Sequence, residues 1–291
     1  YCPEFLHDNK VPFPEYDDAM YLIDLVYEKN EEVIIEISGG EPTLWPKLTR
    51  FFRAAIEKYP NLTIQVDTNG SRTNKWWERF TSFNFQNNLW FNFAHHAAQC
   101  DIDLFYENAR IASEAGYSCT VNFMLDPPYF DIQRKYYEKA RNNLNAYICM
   151  KTLRPGFDAD KIIDGYTDEM FEIIKESHTY VQHQVLDNAP SVNDDLRIFY
   201  DGKLRNYQDE IINKRNSFTF WHCQAGTKRV VITIDGNVYP CFELSKVFDN
   251  DGPRYCLGNI KERNVNLKDD GIICPASDCG CLPDALVYKT D

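Results

Sequence analysis

The chain has 291 residues, of which 44% are hydrophobic and 26% are charged, as is typical of a globular protein with a substantial core. No run approaches the roughly 20 apolar residues of a membrane span and no signal peptide is visible, so the sequence predicts a cytoplasmic protein without a membrane partner. The net charge of −13 disfavours a broad nucleic-acid interface, because an acidic surface repels phosphate.

Short β-branched runs alternate with longer amphipathic runs in the first half of the chain. Strands are predicted at EEVIIEISGG, LTIQVDTNG, LWFNFAHH, SCTVNFMLDPP and AYICMKTLRP. Helices are predicted between them, at LTRFFRAAIEKY, WWERFTSF, DLFYENARIASEAGY and FDIQRKYYEKARNN. This alternation predicts βαβ units around a parallel sheet, either a barrel or an open sheet.

Polar residues and glycines gather where these predicted strands end. They occupy residues 38–41, 67–70, 95–96 and 126–127. In a parallel barrel the carboxyl ends of the strands form the functional rim, so this pattern favours a binding site. Turns after strands need Gly, Asn and Asp in any case, so a purely structural role stays open for each of them.

The pattern changes after residue 156. Residues 157–220 are polar and irregular, with helices predicted at TDEMFEIIKESH and GKLRNYQDEIINKRN. From residue 221 onward short strands and cysteines dominate, and KRVVITIDGNVYPC predicts a hairpin that turns at Asp235-Gly236. The sequence therefore predicts three regions: a unit of alternating strands and helices over 1–156, a connecting region over 157–220 that completes it, and a cysteine-rich domain over 221–291.

Six of the ten cysteines follow residue 220. Cys223 and Cys241 flank the predicted hairpin, and Cys274, Cys279 and Cys281 lie in the loop CPASDCGCLPD. Four thiolates from a hairpin and a loop suit either a zinc ion or a four-iron cluster, and the lack of close C-x-x-C pairs favours the cluster.

Three other cysteines stand alone in or beside predicted strands and helices: Cys100, Cys119 and Cys149. A free cysteine packs as a small apolar side chain, so these are predicted to be core residues. His178 and His183, in the connecting region, are predicted to be exposed.

The residues after the first predicted strand resemble a motif of the radical S-adenosylmethionine (SAM) enzymes. They are Gly39, Gly40, Glu41 and Pro42. In that family the motif holds the amino group of the methionine moiety of SAM. Upstream, Tyr1-Cys2 is similar to the end of the family's C-x-x-x-C-x-x-C motif. The resemblance implies that Cys2 is the third ligand of a SAM-binding 4Fe-4S cluster, and that two further cysteines and a first barrel strand precede Tyr1.

The same resemblance implies further cofactor contacts along the rim. The implied residues are Thr68, Asn69, Ser71, Asn92 and His95. Lys151 or Arg154 would reach a carboxylate. For each of these residues a structural role remains the alternative.

The C-terminal cysteines resemble the auxiliary-cluster domain of the same family, called SPASM or, in a shortened form, twitch. Cys223, Gly236 and Cys241 fit its pattern C-x(9–15)-G-x(4)-C. Too few cysteines follow for two clusters, which implies one auxiliary 4Fe-4S cluster. Its implied ligands are Cys223, Cys241 and two of the last three cysteines, with Cys256 outside the set.

The resemblance implies an α/β fold, a partial (βα)6-type TIM barrel with a small cysteine-rich β-hairpin domain. The implied activity is reductive cleavage of SAM to a 5′-deoxyadenosyl radical, which abstracts a hydrogen atom from a peptide or a small molecule such as a sugar. Oxidation, epimerisation or bond formation would follow. A flavodoxin or ferredoxin would donate electrons, and the auxiliary cluster would assist electron transfer or substrate binding.

Two other classes of function stay open on the sequence. One is a structural zinc-containing binding protein on a degenerate barrel. The other is a relative without clusters that binds a nucleotide or scaffolds a partner.

Overall fold

The computed structural model describes residues 13–153, 162–177, 197–200, 203–206, 215–246, 248–249, 252–279, 284 and 287–291. They belong to two compact units, one within residues 32–188 and one that combines residues 11–31 with 189–291. We call the first the parallel-sheet unit and the second the cysteine-rich unit. None of the helices in these described ranges is long and apolar enough to cross a membrane.

The helices of the described chain precede, separate and follow the strands of a sheet. They are α1 (Tyr16–Tyr27), α2 (Leu48–Lys58), α3 (Asn74–Thr81), α4 (Ile102–Glu114), α5 (Phe130–Asn143) and α6 (residues 168–177). The strands of the parallel-sheet unit are β1 (Ile34–Ile37), β2 (Thr63–Thr68), β3 (Leu89–His95), β4 (Ser118–Leu125) and β5 (Tyr147–Thr152). They pair in that order, all parallel. The alternation of parallel strands and helices confirms the predicted α/β fold class.

One face of this sheet packs against helices through aromatic side chains. Phe91 and Phe93 of β3 are fully buried, and both contact Trp77 of α3, with ring centroids 5.1 and 5.0 Å apart. Phe105 of α4 lies 5.8 Å from Phe123 of β4. Since aromatic side chains bury a large apolar area, this face supplies much of the hydrophobic stabilisation. The opposite face carries the alternate, more polar positions of the strands.

The cysteine-rich unit consists of short strands. They are β6 (Arg197–Tyr200), β7 (Lys203–Asn206), β8 (His222–Cys223), β9 (Val231–Ile232), β10 (Asn237–Tyr239), β11 (Phe248–Asp249), β12 (Gly252–Pro253), β13 (Gly258–Asn259), β14 (Ile272–Ile273) and β15 (Lys289–Thr290). Its sheets have the orders β14-β8-β15-β6-β7, β13-β10-β9 and β11-β12. The antiparallel pairing of β9 with β10 confirms the predicted hairpin.

Helix α1 belongs to the hydrophobic core of the cysteine-rich unit. Its partly buried apolar side chains are Tyr21, Leu22, Leu25 and Val26, and they pack against a buried cluster of Val238, Leu257, Ile260 and Leu267. The helix thus joins a domain whose other elements lie some two hundred residues later in the chain. The sequence analysis did not predict α1, although its apolar residues recur at helical spacing.

Polar contacts fix α1 in this position. Arg263 forms an ion pair with Asp18 at 2.8 Å, and its guanidinium lies 4.5 Å from the ring centroid of Tyr21. Arg263 adopts a φ of +56°, a left-handed conformation that costs free energy in a residue other than glycine. Lys29, just after the helix, donates to the carbonyl of Leu267 and pairs with Asp269.

One predicted helix is wrong. In GKLRNYQDEIINKRN, residues 203–206 form β7, which pairs antiparallel with β6. Pairing with a neighbouring strand outweighs the helical preference of this short run. Residues 207–214 of the same prediction lie outside the described residues.

Candidate active site and iron-sulfur site

Two glycines open the loop after β1. Gly39 and Gly40 have φ angles of +88° and +54°, which L side chains rarely adopt. A Cβ added at either position would meet nothing within 4 Å, so the backbone conformation, and not a lack of space, favours glycine here. Both residues are exposed, which leaves the polar groups of this backbone accessible to a ligand.

Glu41 ties this loop to the end of the next strand. Its carboxylate accepts hydrogen bonds from the backbone N–H of Thr43 at 3.0 Å, the hydroxyl of Thr68 at 2.8 Å and the backbone N–H of Asn69 at 2.7 Å. The hydroxyl of Thr43 donates to it as well. Hydrogen bonds to an ionised acceptor are the strong ones, and Glu41 is only 9% exposed. The side chain of Glu41 therefore joins the carboxyl ends of β1 and β2.

The loop after β2 completes this rim. The hydroxyl of Thr68, besides donating to Glu41, accepts the N–H of Gly70 at 3.1 Å. The side-chain oxygen of Asn69 accepts the N–H of Ser71 at 3.0 Å, a turn that asparagine favours. Pro42 is buried and begins a short 3-10 helix. The structure thus brings Thr68, Asn69 and Ser71 together with the loop of residues 39–42, as predicted for neighbouring strand ends.

A chain of polar side chains crosses the sheet on the face opposite the aromatic core. Asp67 accepts from Asn92 at 2.9 Å and from Gln65 at 3.1 Å. Asn122 donates to Asn92 at 2.5 Å, and the thiol of Cys149 donates to Asn122 at 2.9 Å. This network spans β2 to β5. Each member of this network is fixed in orientation by the next.

The sequence did not predict that three members of that network, Gln65, Asn122 and Cys149, are joined by hydrogen bonds. The signal was present, because polar residues recur at every second position of β2 and β4 within otherwise buried strands. Cys149 is buried, as predicted for a core residue, but its hydrogen bond to Asn122 was not foreseen. Lys151 is exposed on β5, two residues further along the same strand face.

His95 lies on the helix-facing side of β3 and is 2% exposed. Gln133 donates to its Nδ1 at 3.2 Å, so its Nε2–H donates to the carbonyl of Cys100 at 3.1 Å. Burial lowers the pKa of His95, opposed by the Cys100 carbonyl and the Asp101 charge. Both ring nitrogens are engaged by the protein, which supports the structural alternative for this residue.

Four cysteines lie in the same part of the cysteine-rich unit. Cys241 and Cys274 pack against a buried group that contains Cys223. Cys279 is 8% exposed, and the charges of Cys223 and Cys241 raise its pKa. Cys256 is turned elsewhere, since its thiol donates to the carbonyl of Gly258 at 3.3 Å. Four of the five cysteines predicted for the auxiliary cluster thus belong to one part of this unit, and their role as ligands stays a prediction.

Backbone hydrogen bonds hold the late cysteines against the segment before β8. Phe220 N–H donates to the carbonyl of Cys274 at 2.7 Å, and Cys274 N–H donates to Trp221 at 2.8 Å. Cys279 N–H donates to the carbonyl of Asn216 at 2.9 Å. Gly271 permits the close approach, because a Cβ there would collide with the carbonyl of Cys223. These bonds therefore hold a loop and a strand that are far apart in sequence next to each other.

Burial raises the pKa of three of these four thiols. It raises that of Cys241 to about 12, with a contribution from the Asp284 carboxylate, and it raises those of Cys274 and Cys279. The negative charge of each neighbouring thiolate adds to the effect. A bound cationic metal group would favour the thiolate form of these cysteines against the effect of burial.

Two further charged residues border the cysteines and were missed by the sequence analysis. Asp284, 2% exposed, accepts from Arg229 Nε at 3.1 Å and from Phe242 N–H at 2.8 Å, beside Cys241. Lys289, also 2% exposed, lies in β15. No local pattern in the sequence distinguishes them from surface residues.

The remaining predicted residues lie beyond what the structure describes. Cys2, Cys281 and Arg154 are outside the described residues, as are His178 and His183. Within the described ranges, no three His, Cys, Asp or Glu side chains lie close enough together to bind a single metal ion. The assignment of individual cluster and SAM ligands stays a prediction.

Comparisons with known proteins bear on the cysteine-rich unit. Residues 223–267 match the SPASM family model, described as an iron-sulfur cluster-binding domain, which confirms the predicted SPASM-type domain over these residues. A comparison with curated proteins gave no match. A crystal structure of BtrN in complex with AdoMet and 2-DOIA is similar at a TM-score of 0.38 and 18% identity, over 91% of this chain and 73% of that chain.

Proposed function

We propose that this protein is a radical SAM enzyme with one auxiliary iron-sulfur cluster. The observation that carries the proposal is the presence in one chain of two features. One is the Gly-Gly-Glu-Pro loop at the carboxyl end of a parallel strand, and the other is the SPASM match over residues 223–267. The first resembles a SAM-binding motif, and the second is typical of domains that hold iron-sulfur clusters.

Distinct groups of residues would hold the two clusters and SAM. Cys2, with two upstream cysteines, would bind the first 4Fe-4S cluster. The exposed backbone at Gly39 and Gly40 would hold the amino group of SAM, while Glu41 keeps that loop in place. When bound, the first cluster supplies the electron that cleaves SAM.

The auxiliary 4Fe-4S cluster has a separate proposed ligand set. It would consist of Cys223, Cys241, Cys274 and Cys279, which belong to the same part of the cysteine-rich unit. Cys281 stays an alternative to one of the last two. An external electron donor such as a flavodoxin or ferredoxin would reduce the enzyme.

The polar network of the sheet supports a polar substrate. Asp67 and Asn92 combine a carboxylate with an amide, which can accept from and donate to hydroxyl or amino groups, while the buried Asn122 holds Asn92 in place. Their mutual hydrogen bonds would fix the orientation of a bound molecule before reaction, so the reactive hydrogen is presented in one geometry. Both a small molecule such as a sugar and a peptide side chain meet this requirement.

Formation of 5′-deoxyadenosine tests the proposal. Protein that includes the residues before Tyr1 is reconstituted anaerobically with iron and sulfide, reduced with dithionite and supplied with SAM. We expect 5′-deoxyadenosine by chromatography. A Cys2→Ala variant should lose this product while it retains the iron of the auxiliary cluster. An iron-loaded wild-type protein that yields none contradicts the proposal, and a colourless preparation that binds zinc would favour the structural zinc alternative.

A further inference from the structure

A basic cavity lies beside the loops after β1 and β2 in the parallel-sheet unit. It has a volume of about 460 Å³, and its lining comes from the short helix that begins at Pro42, the loop after β2 and α3. Ligand pockets usually have volumes of about 300–1,000 Å³. Three of the described lining side chains are cationic, Arg72, Lys75 and Arg79, and none is acidic. In the whole chain acidic residues outnumber basic ones by 44 to 31, so this lining departs from the average composition.

The three cations have no anionic partner in the part of the chain that the structure describes. Within those residues, none of the three side chains takes part in an ion pair or a hydrogen bond. The side chains of Lys75 and Arg79 are exposed, and Arg72 is half-buried. Their charges are therefore available to an anion that enters the cavity.

Arg72 is held in place by aromatic rings. Its guanidinium carbon lies 5.0 Å from the ring centroid of Trp76, and Trp76 is in turn stacked on Phe80, with ring centroids 5.1 Å apart. The Nε of Arg72 is buried and has no hydrogen-bond partner among the described residues. A guanidinium that is already positioned loses little freedom when its N–H groups bind an oxyanion in their fixed fork geometry.

Helix α3 begins at the same cavity and adds further donors. The hydroxyl of Thr73 accepts the N–H of Trp76 at 3.3 Å, whereas the backbone N–H groups of Asn74 and Lys75 donate to no described residue. The N-terminal end of a helix favours an anion, because its free N–H groups and its dipole are positive there. The hydroxyls of Ser71 and Thr73, which also line the cavity, can donate as well.

We propose that this cavity binds small molecules that carry a phosphate monoester. Such a group has roughly two negative charges near pH 7 and three acceptor oxygens, which suits three cations better than the single charge of a carboxylate does. Leu44, which is 47% exposed, offers an apolar contact for the organic part of the ligand. The inference goes beyond the proposed function, because it depends on neither cluster and its ligand is separate from SAM.

Calorimetric titration of the full chain tests the inference. The probes are inorganic phosphate and glycerol 3-phosphate, with acetate as a single carboxylate. They are titrated into the parent protein and into the variants Arg72→Gln, Arg72→Lys and the double variant Lys75→Gln with Arg79→Gln. Lys135→Gln removes an exposed charge from α5 as a matched control. Thermal unfolding shows that each variant is folded.

We expect both phosphates to bind, and acetate to bind at least about tenfold more weakly. Arg72→Gln and the double variant should each lose about tenfold in affinity for glycerol 3-phosphate. Arg72→Lys should lose less than Arg72→Gln, since it keeps the charge, and Lys135→Gln should match the parent protein.

Four results would overturn the inference. The first is the absence of phosphate binding, or equal affinities for phosphate and acetate. The second is a folded double variant, altered only at exposed side chains, that binds glycerol 3-phosphate as the parent does. The third is displacement of glycerol 3-phosphate by SAM, which would make the cavity part of the SAM site. The fourth is tighter binding of a glutamate-rich peptide than of glycerol 3-phosphate, which would indicate a docking surface for an acidic protein.

Discussion

Glu41 is the residue on which the loops after β1 and β2 depend. Replacement of Glu41 by alanine leaves the hydroxyl of Thr68 and the N–H of Asn69 without their acceptor. Unsatisfied buried donors cost about 1–3 kcal/mol, so we expect a loss of that size in the free energy of unfolding. SAM affinity should fall as well, because the glycine loop loses its support. Urea denaturation and calorimetric SAM binding measure the two effects. Glu57→Ala, at an exposed position of α2, is the control and should leave both near wild type.

Two adjacent histidines at the end of β3 make the parallel-sheet unit sensitive to acid. Burial lowers the pKa of His95, and burial together with the neighbouring His95 lowers that of His96 to about 4, from an ordinary value of 6.5. Protonation of His95 would also place an N–H donor at Nδ1 opposite the amide donor of Gln133, so that hydrogen bond would be lost. A lowered pKa means that the stabilisation is complete above about pH 6.5 and is lost as the pH falls towards 4.

We therefore expect the free energy of unfolding to fall with pH in this window, by at most about 1.4 kcal/mol per pH unit for each histidine. Denaturant titrations at a series of pH values measure the slope. The variant His96→Gln should have a shallower slope than wild type. Identical slopes in the two proteins would contradict the prediction.

Among the elements, helix α1 should contribute to the stability of the cysteine-rich unit through its apolar side chains. Leu22 and Leu25 pack on the buried cluster of the cysteine-rich unit but remain partly exposed. Truncation of either to alanine should cost about 1–3 kcal/mol, less than at a fully buried leucine. Hydrogen exchange should report the loss in residues 230–267. Asp17→Ala, at an exposed position of the same helix, should have little effect. Loosening confined to α1 itself would contradict its role in this core.

The elements also show what the sequence can predict. Helix α5 coincides with the predicted run FDIQRKYYEKARNN, because prolines precede it and its apolar residues keep helical spacing. The glycine loop and the hairpin at Asp235-Gly236 were likewise evident, since both depend on local backbone conformation. The position of Lys289 opposite Cys223 was not, because no local pattern links residues that pair only in the folded sheet. The strand β7 was missed for the same reason.

At the scale of the whole molecule, the two units differ in how their backbones are held. The parallel sheet has strands of four to eight residues and an aromatic core. Around the four cysteines, β8, β14 and β15 have two residues each. Metal binding contributes directly to the stability of small domains with little regular structure. The cysteine-rich unit should therefore gain more from cluster assembly than the parallel-sheet unit.

Removal of iron by a chelator tests this difference. We expect hydrogen exchange to accelerate in residues 215–279 and to change little in residues 34–152. The reconstituted protein should recover the original rates. Equal acceleration in both units, or in neither, would contradict the prediction.

The packing of α1 has a consequence for biosynthesis. Lys29 and Leu267 are bonded across 238 residues of sequence. At a translation rate of roughly 5–20 residues per second, the ribosome adds Leu267 about 12 to 48 s after it has added Lys29. During that time the apolar side of α1 has none of its partners from residues 238–267. The apolar side of α1 in a nascent chain is thus open to aggregation until residues 238–267 emerge, and chaperones that bind α1 would raise the yield of folded protein.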